Sequence, residues 1–326
     1  MHMKYATIGT SVITQQMIEG TRNAGIFELA GVYSRNMENA RHFGAQYGAQ
    51  QAFDDLDALA ESDIDAVYVA SPNILHYEQC KLLLSRGKHV ICEKPLTVLP
   101  GEARALINLA HEKNVIFLEA IMMMHQPQRL AVKQILPHLG NVNTVHFDFS
   151  QLSSRYEAYC KGELPNIFNP ALAAGCIMDL GVYCVYPALD FFGRPDRIKT
   201  NAHLLRSGVD GYFSSTFFYP DKQVVLTASK IGQGYCGSEI IGDHGTLSIH
   251  MLHHLTGIML HRPDGTHEKI CGDIAKPVLL GNEMKDFHRY ITDPENTHEE
   301  YAYAQNLSIA VNETLQEMRK QAGLNF

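Results

Sequence analysis

Lys94 stands between Glu93 and Pro95, directly after the apolar run Val90-Ile91-Cys92, with Gly87-Lys88 in front of that run. Three apolar residues bounded by turn-formers read as a short buried strand, and in an open parallel sheet ligands bind beyond the carboxyl ends of the strands. Proline denies the residue before it the helical region, so Lys94 is expected to be extended at the strand's exit. An ammonium fixed there can donate a proton or polarise a carbonyl; a solvated lysine on a surface turn is the other reading of the tripeptide alone. A second group lies downstream in Asn169-Pro170-Ala171-Leu172-Ala173-Ala174-Gly175-Cys176-Ile177-Met178-Asp179-Leu180-Gly181-Val182-Tyr183. Small residues there lead into an apolar helical start, so Asp179 and Tyr183, four apart, would share a face. An acid and a phenol pointing together need a reason; taken alone, the pair can simply bond to each other on the helix surface.

The elements that must hold these groups follow from the apolar rhythm. Tyr5–Ile8, Leu29–Tyr33, Ala66–Ala70, Val90–Cys92 and Val115–Ala120 are strand candidates separated by helical patterns, and Ala103, Leu106, Ile107 and Ala110 recur at i, i+3, i+4, i+7 between the last two. That alternation predicts an α/β fold with a doubly wound parallel sheet over residues 1–121. Its first strand runs into Gly9-Thr10-Ser11-Val12-Ile13-Thr14, where a dinucleotide fingerprint would have glycine at 9, 11 and 14. Gly9 can make the tight turn, and Ser11 is small enough for a pyrophosphate to approach the amides around Thr10, Val12 and Ile13; Thr14 alters the helix packing position. A plain strand-to-helix turn is the alternative. The second strand ends in Ser34-Arg35 where an acidic residue would accept from ribose hydroxyls. A hydroxyl and a guanidinium suit a 2′-phosphate instead, so NADP(H) is the expected cofactor, with NAD(H) as the second choice. The third strand leaves through Ser71-Pro72-Asn73 with His76 behind it, positions expected to face the nicotinamide half.

From about residue 122 the pattern changes. Met122-Met123-Met124-His125 leads into a helix, and Val142–Phe149, Phe213–Tyr219, Gln223–Ser229, Ser238–Gly242 and Thr246–His250 read as strands of a large, mainly antiparallel open sheet. Residues 122–326 are therefore expected to form an α+β domain, closed by a long helix over Glu299–Gln321. His250, His253 and His254 have no carboxylate or cysteine at ligand spacing and read as surface histidines, so no metal site is indicated. With 45% apolar and 19% charged residues the chain is of ordinary globular composition, and a net charge of −8 without a long basic run argues against nucleic acid. Seven scattered cysteines without a Cys-x-x-Cys pair suggest reduced thiols. No apolar run is expected to approach the roughly 20 residues of a membrane helix, and no apolar signal core follows the amino terminus, so a cytoplasmic location is expected.

Three motifs in order resemble those of the Gfo/Idh/MocA oxidoreductase family: Glu93-Lys94-Pro95, Ser71-Pro72-Asn73 with His76, and Asp179-Leu180-Gly181-Val182-Tyr183. Tyr183, where many relatives have histidine, is similar to the dimeric dihydrodiol dehydrogenase and glucose–fructose oxidoreductase branch. The resemblance implies a Rossmann-type domain, hydride transfer with a nicotinamide cofactor on sugars, cyclitols or related alcohols, and a homodimer or dimer of dimers through the open sheet. It also implies that Lys94 and Tyr183 handle the proton, that Glu93 belongs to the cofactor site, and that Asp179 binds substrate or positions Tyr183, with His125 a further substrate candidate. A neighbouring ammonium would favour the phenolate, which is a physical reason to pair these two groups. The implied alternatives are a catalytically silent NADP(H)-binding sensor and an NAD-assisted glycoside hydrolase. The chain departs from the family at Ser11 and Thr14, at Ala173-Ala174-Gly175 and at Met124-His125.

Overall fold

The computed structural model describes residues 3–326. Its chain forms two compact units, one made of residues up to His125 together with Ala275–Ile309, the other of Gln126–Ile274 with Ala310–Phe326. A division at 121/122 would assign Ala275–Ile309 to the second domain; the structure packs that segment with the first.

In the first unit the strands are β1 (Met3–Ile8), β2 (Phe27–Tyr33), β3 (Gln51–Phe53), β4 (Ala66–Val69), β5 (His89–Glu93) and β6 (Phe117–Ala120). They make one parallel sheet in the order β3-β2-β1-β4-β5-β6. The switch point lies between β1 and β4, as the sequence rhythm requires of a doubly wound sheet. Every residue of β4 is buried, as are Val90, Ile91 and Cys92 of β5, because helices cover both faces. The helices are α1 (Val12–Ala24), α2 (Met37–Gln46), α3 (Leu56–Glu61), α4 (His76–Ser85) and α5 (Pro100–Lys113). Pro100 opens α5 where a missing N–H costs nothing, Glu102 accepts from the Leu99 amide at 3.1 Å, and Ala103, Leu106, Ile107 and Ala110 form its buried face. β3 escaped the sequence reading because it has three residues, all only half-buried at the sheet's edge.

The second unit contains α6 (Pro127–Ile135), β7 (Val142–Ser150), α7 (Tyr156–Cys160), α8 (Val182–Phe192), β8 (Arg197–Leu204), β9 (Asp210–Phe218), β10 (Gln223–Ser229), β11 (Ser238–Gly242), β12 (Thr246–Met251), β13 (Thr256–His261) and β14 (His267–Cys271). The sheet order is β14-β13-β12-β11-β7-β10-β9-β8, antiparallel except where β7 meets β10. One face is apolar by strict alternation, through Val145 and Phe147, Val224 and Leu226, Phe213 and Phe217. Strands β8, β13 and β14 were not expected from sequence: only Thr200 is buried in β8 and nothing in β14, so neither shows the alternation, whereas β13 alternates through Thr256, Ile258 and Leu260. Pro170–Phe192 is apolar and long enough to cross a membrane by length and composition, contrary to the expectation that no such run exists. It is broken into a short 3-10 turn, a π-helical turn and α8, and 83% of its most apolar window is buried inside the protein.

Two further helices, α9 (Lys276–Thr292) and α10 (Pro294–Gln321), complete the chain. In the first unit α9 lies against α1 so closely that a Cβ on Gly20 would stand 2.8 Å from Leu280 Cβ and 2.9 Å from the Gly281 amide. A Cβ on Gly281 would stand 2.9 Å from the Gly20 carbonyl. Gly281→Ala should therefore destabilise by about 1–3 kcal/mol, the usual cost of overpacking, read as a lower urea midpoint with an unchanged slope. Gly101→Ala, which meets open space, should shift stability by less than about 0.5 kcal/mol; an equal loss there would remove close helix approach as the cause.

Candidate active site

The first unit gathers its chemistry beyond the carboxyl ends of its strands. Gly9 leaves β1 at φ +110°, and a Cβ there would lie 2.6 Å from the Ala70 carbonyl at the end of β4, so only glycine fits. Thr10 follows, half-buried, and Ser11 starts α1 without capping it: its hydroxyl pairs instead with the Thr14 hydroxyl at 3.3 Å. The first-turn amides beginning at Val12 and Ile13 thus receive no side-chain acceptor from the cap, which is the arrangement that accepts an anion. Thr14 is wholly buried, filling the place of a third glycine. At the end of β2 the Ser34 amide bonds the Phe53 carbonyl at 3.0 Å, and Arg35 is exposed with no salt bridge among the described residues.

At the next two exits the backbone is held from several sides. Ser71 Oγ donates to Gln79 Oε1 at 2.7 Å, Pro72 precedes a 3-10 turn over Asn73–Leu75, and α4 then begins at His76. The His76 ring has no exposed surface; Nε2 faces the Ser71 carbonyl at 2.9 Å and Nδ1 the Pro95 carbonyl at 3.0 Å. It joins the β4 exit to the turn after β5 and presents nothing to a ligand, which corrects its expected place against the nicotinamide. Glu93 accepts from Tyr68 Oη at 2.5 Å and from the Lys94 amide at 3.3 Å. Burial raises its carboxyl's pKa, opposed chiefly by the charge of Lys94 and the Tyr68 hydroxyl. Glu119, buried in β6, accepts from the Leu96 amide at 2.8 Å. The Lys94-Pro95-Leu96 turn is therefore fixed at three successive residues. His125 does not face a substrate site as expected: its side chain is 2% exposed and its Nδ1 pairs with Asp286 Oδ2 at 3.0 Å. Burial acts to raise the Asp286 carboxyl, but His125 and Arg289 outweigh it and hold the pKa below the usual range.

In the second unit a π-helical turn over Ile177–Gly181 precedes α8, so Asp179 and Tyr183 are joined through an insertion in the helix and not along one regular α-helix. Such insertions are frequent at functional sites. Asp179 forms an ion pair with Lys230 at 2.6 Å, the lysine being 3% exposed and the carboxylate 36%. Tyr183 meets the Phe149 ring edge-on at 5.3 Å and the His253 ring at 5.7 Å. His253 and His254 are half-buried, the His253 ring stacked on Phe149 at 4.1 Å and tilted against His254 at 3.9 Å, so they are not the surface histidines expected from sequence.

Several of these residues were not anticipated. Lys230 continues the buried phase Val224, Leu226, Ala228, and a cation in an apolar phase signals a partner that the alternation alone could have prompted. Glu283 interrupts the buried stripe Leu279, Leu280, Met284, Phe287 of α9, with Oε1 unpartnered; burial, then Glu93 and Asp286, push its pKa well above the carboxylate range while Lys276 opposes. Asp210 is buried at the start of β9, where Oδ2 accepts from the Ile177 amide at 2.7 Å and so fixes the start of the π-turn. Burial raises its pKa to about 6, against three backbone hydrogen bonds and Lys230. A carboxyl whose folded pKa lies above its unfolded value destabilises the fold once ionised, so the cost is present above about pH 6 and fades as pH falls toward 4. Asp210→Asn, which keeps the acceptor for Ile177, should gain up to ~3 kcal/mol over the parent at pH 8 and lose that advantage near pH 4. Parallel stability curves for parent and variant from pH 4 to 8 would show that Asp210 does not titrate in this way.

Residues 3–121 match a family model described as an oxidoreductase family with an NAD-binding Rossmann fold, and residues 131–248 match the GFO/IDH/MocA C-terminal domain. The chain is 38% identical over 325 residues to scyllo-inositol 2-dehydrogenase (NADP(+)) of Bacillus subtilis (strain 168), covering 99% of this chain and 98% of the relative. It is 31% identical to D-xylose 1-dehydrogenase (NADP(+)) 2 of Haloferax volcanii, over 67% of this chain and 66% of that one. In fold it superposes with a TM-score of 0.87 on a 3-ketoreductase from Actinomadura kijaniata solved with NADP and TDP-benzene, at 21% identity over 99% of this chain and 98% of that one.

Proposed function

The chain belongs to the Gfo/Idh/MocA oxidoreductase family, and from that membership we propose that it transfers a hydride between NADP(H) and a hydroxyl or ketone carbon of a cyclitol, sugar, polyol or diol. What carries this reading is the near-full-length match to an NADP(+)-dependent inositol dehydrogenase. The residues present fit the dinucleotide: Gly9 leaves room that a Cβ would close, the start of α1 offers amides without a side-chain cap, and Arg35 supplies an exposed guanidinium where an acid would repel a 2′-phosphate. The nicotinamide, when bound, supplies or receives the hydride.

The chain's own part is proton management and orientation. Lys94, on a turn pinned at residues 94, 95 and 96, and Tyr183, its ring edged by Phe149 and His253, give and take the proton of the reacting oxygen. Asp179, its charge balanced by Lys230, accepts from substrate hydroxyls or orients Tyr183. The face of the eight-stranded sheet carrying His146, Ser214, Thr216, Val225, Thr227 and Ile241, each exposed or half-exposed, is the proposed homodimer surface, and light scattering at the mass of one chain would exclude it. A cytoplasmic location is part of the same proposal, checked by cell fractionation.

Oxidation of a panel containing scyllo-inositol, D-xylose and a cyclic diol with NADP(+), followed by absorbance of the reduced cofactor, tests the reaction; no turnover on any member overturns it. Arg35→Ala should weaken NADP(H) by about 1.5–3 kcal/mol, the worth of a charged hydrogen bond, with NAD(H) affinity little changed. Equal affinity of the parent for both cofactors would remove the assignment of Arg35. Lys94→Met and Tyr183→Phe should each lower kcat/KM at least about 10²-fold with thermal stability nearly unchanged. Tyr183→Phe should also lose the limb of the pH profile on which the phenol titrates, and an unaltered profile would make Tyr183 a packing residue.

A further inference from the structure

We propose that Glu119 is a positioning residue for Lys94: by holding the Leu96 amide from the neighbouring strand β6 it sets where the lysine turn stands, and α10 in turn holds that strand. The inference rests on the reading of Lys94 as a proton-handling group.

Glu119 is a carboxyl in an apolar row. On β6 it follows Phe117 by two residues, and the register sets Phe117 beside Val90 and Glu119 beside Cys92. Paired residues, and residues two apart on one strand, share a face of the sheet. The other members of this row are apolar and at most 1% exposed, and Glu119 itself is 2% exposed. A carboxyl in such a place is costly unless it is hydrogen-bonded. Its Oε1 accepts from the Leu96 amide at 2.8 Å. That bond is shorter than the 3.0 Å contact of His76 with the Pro95 carbonyl and the 3.3 Å bond from the Lys94 amide to its own neighbour Glu93. The amide it holds is two residues from Lys94, so the buried carboxyl serves the turn.

The carboxyl has little room to move, and its strand is clamped from outside. Beside it is a cavity of about 10 Å³, lined by Leu96, Phe117 and Glu119 and by Gln305 and Ser308 of α10. This is about the space of one water, so the side chain cannot swing away from Leu96. β6 is the last strand of its sheet, and no described strand pairs with its outer edge. A phenol does so instead: Tyr301 Oη accepts from the Phe117 amide at 2.9 Å and donates to the Phe117 carbonyl at 3.1 Å. Gln305 Nε2 donates to the same oxygen at 2.7 Å, and Gln305 Oε1 lies 2.9 Å from His111 Nε2 of α5. The hydroxyl's proton and both its lone pairs are thereby used, and the strand is fixed two residues before Glu119. The series Tyr301, Phe117, Glu119, Leu96 runs from α10 to the lysine turn within the first unit.

The test uses the full chain with scyllo-inositol and NADP(+), read by steady-state kinetics, by calorimetry of NADP(+) binding and by hydrogen exchange at the Leu96 amide. Glu119→Met is close in volume and has no acceptor of comparable strength. It should lower kcat at least about tenfold, since ~1 Å of misplacement at a reacting group can cost ~10²-fold, with KM and NADP(+) affinity within about threefold of the parent. Leu96 exchange should rise at least about tenfold while the Val67 and Val69 amides of β4 stay protected. Glu119→Gln keeps an acceptor and should retain at least about fivefold more kcat than Glu119→Met. In a Lys94→Met background Glu119→Met should change the residual rate less than about twofold, because the group it positions is gone. Parental kcat in Glu119→Met beside an impaired Lys94→Met would overturn the positioning role and leave the reading of Lys94 standing. A full further loss in the Lys94→Met background would also overturn it, by making Glu119 a residue of the fold alone. Parental kcat in Lys94→Met would defeat the reading of Lys94 and the positioning role with it. Without turnover by the parent the hydride reading fails, and Leu96 exchange decides the tether: raised exchange in Glu119→Met sustains it and unchanged exchange overturns it. If Glu119→Met does not fold, Tyr301→Phe replaces it and should lower kcat at least about threefold in the parent but not in the Lys94→Met background; parental kcat there would overturn the proposal.

Discussion

An imidazole with a carbonyl at each nitrogen and no surface in water is the constraint on which the lysine turn depends. Neutral histidine has one N–H, so His76 can donate to Ser71 or to Pro95 but not to both; the doubly protonated ring could satisfy both contacts. Burial opposes that charge, and the Lys94 ammonium opposes it further. The net effect is a pKa below the ordinary value despite the carbonyls, which favour the cation. At neutral pH one of the two contacts is therefore made by a bare lone pair against a carbonyl. Packing has to hold it, and here packing is complete: the ring sits at zero exposure between two strand exits whose separation is fixed by the pairing of β4 with β5. Lys94 inherits its position from that pairing.

Both units place charge inside and balance it differently. In the second, Asp179 and Lys230 form a direct pair near the buried Asp210, so the ion pair lies where its partners' backbone is already fixed by the Ile177 amide. In the first, Asp286 is held low, against burial, by His125 and Arg289, while burial, then Glu93 and Asp286, raise the pKa of Glu283 against the charge of Lys276. Carboxylates that face one another in a buried site raise one another's pKa, and in the first unit this happens among the elements that also carry Lys94.

How much of this was legible depends on whether a residue's role is local. The parallel sheet could be read because β1, β4 and β5 are continuous apolar runs, and α5 because its stripe has helical period. The motif residues Ser71, Glu93, Lys94, Asp179 and Tyr183 stand out in the sequence through their resemblance to the family's motifs, and Gly9 through its place after the first strand. Strands β8 and β14 could not, since pairing at the sheet's edges makes them strands and pairing leaves no period in an exposed sequence. His76 and His125 were misjudged for a related reason: a histidine's function is set by what lies opposite it, Pro95 nineteen residues on in one case and Asp286 far downstream in the other. The tripeptide signals a turn; that Glu119 and His76 fasten the turn is a tertiary fact.

Because α9 belongs to the first unit, that unit is finished late. Phe27 on β2 stacks with Phe287 at 5.9 Å, the Phe117 amide bonds Tyr301 Oη at 2.9 Å, and Gly20 waits for Gly281. During synthesis the six strands leave the ribosome before any of those partners exists, and the whole second sheet is translated in the interval. The nascent parallel sheet must then stand with the α1 flank uncovered for the time needed to make about 150 residues, roughly 10–30 s at ordinary elongation rates. A vectorially made chain of this design exposes apolar surface longest on its earliest-folded half, the half that will later hold the dinucleotide. Excising residues up to 125 as a stand-alone binding module would make that exposure permanent.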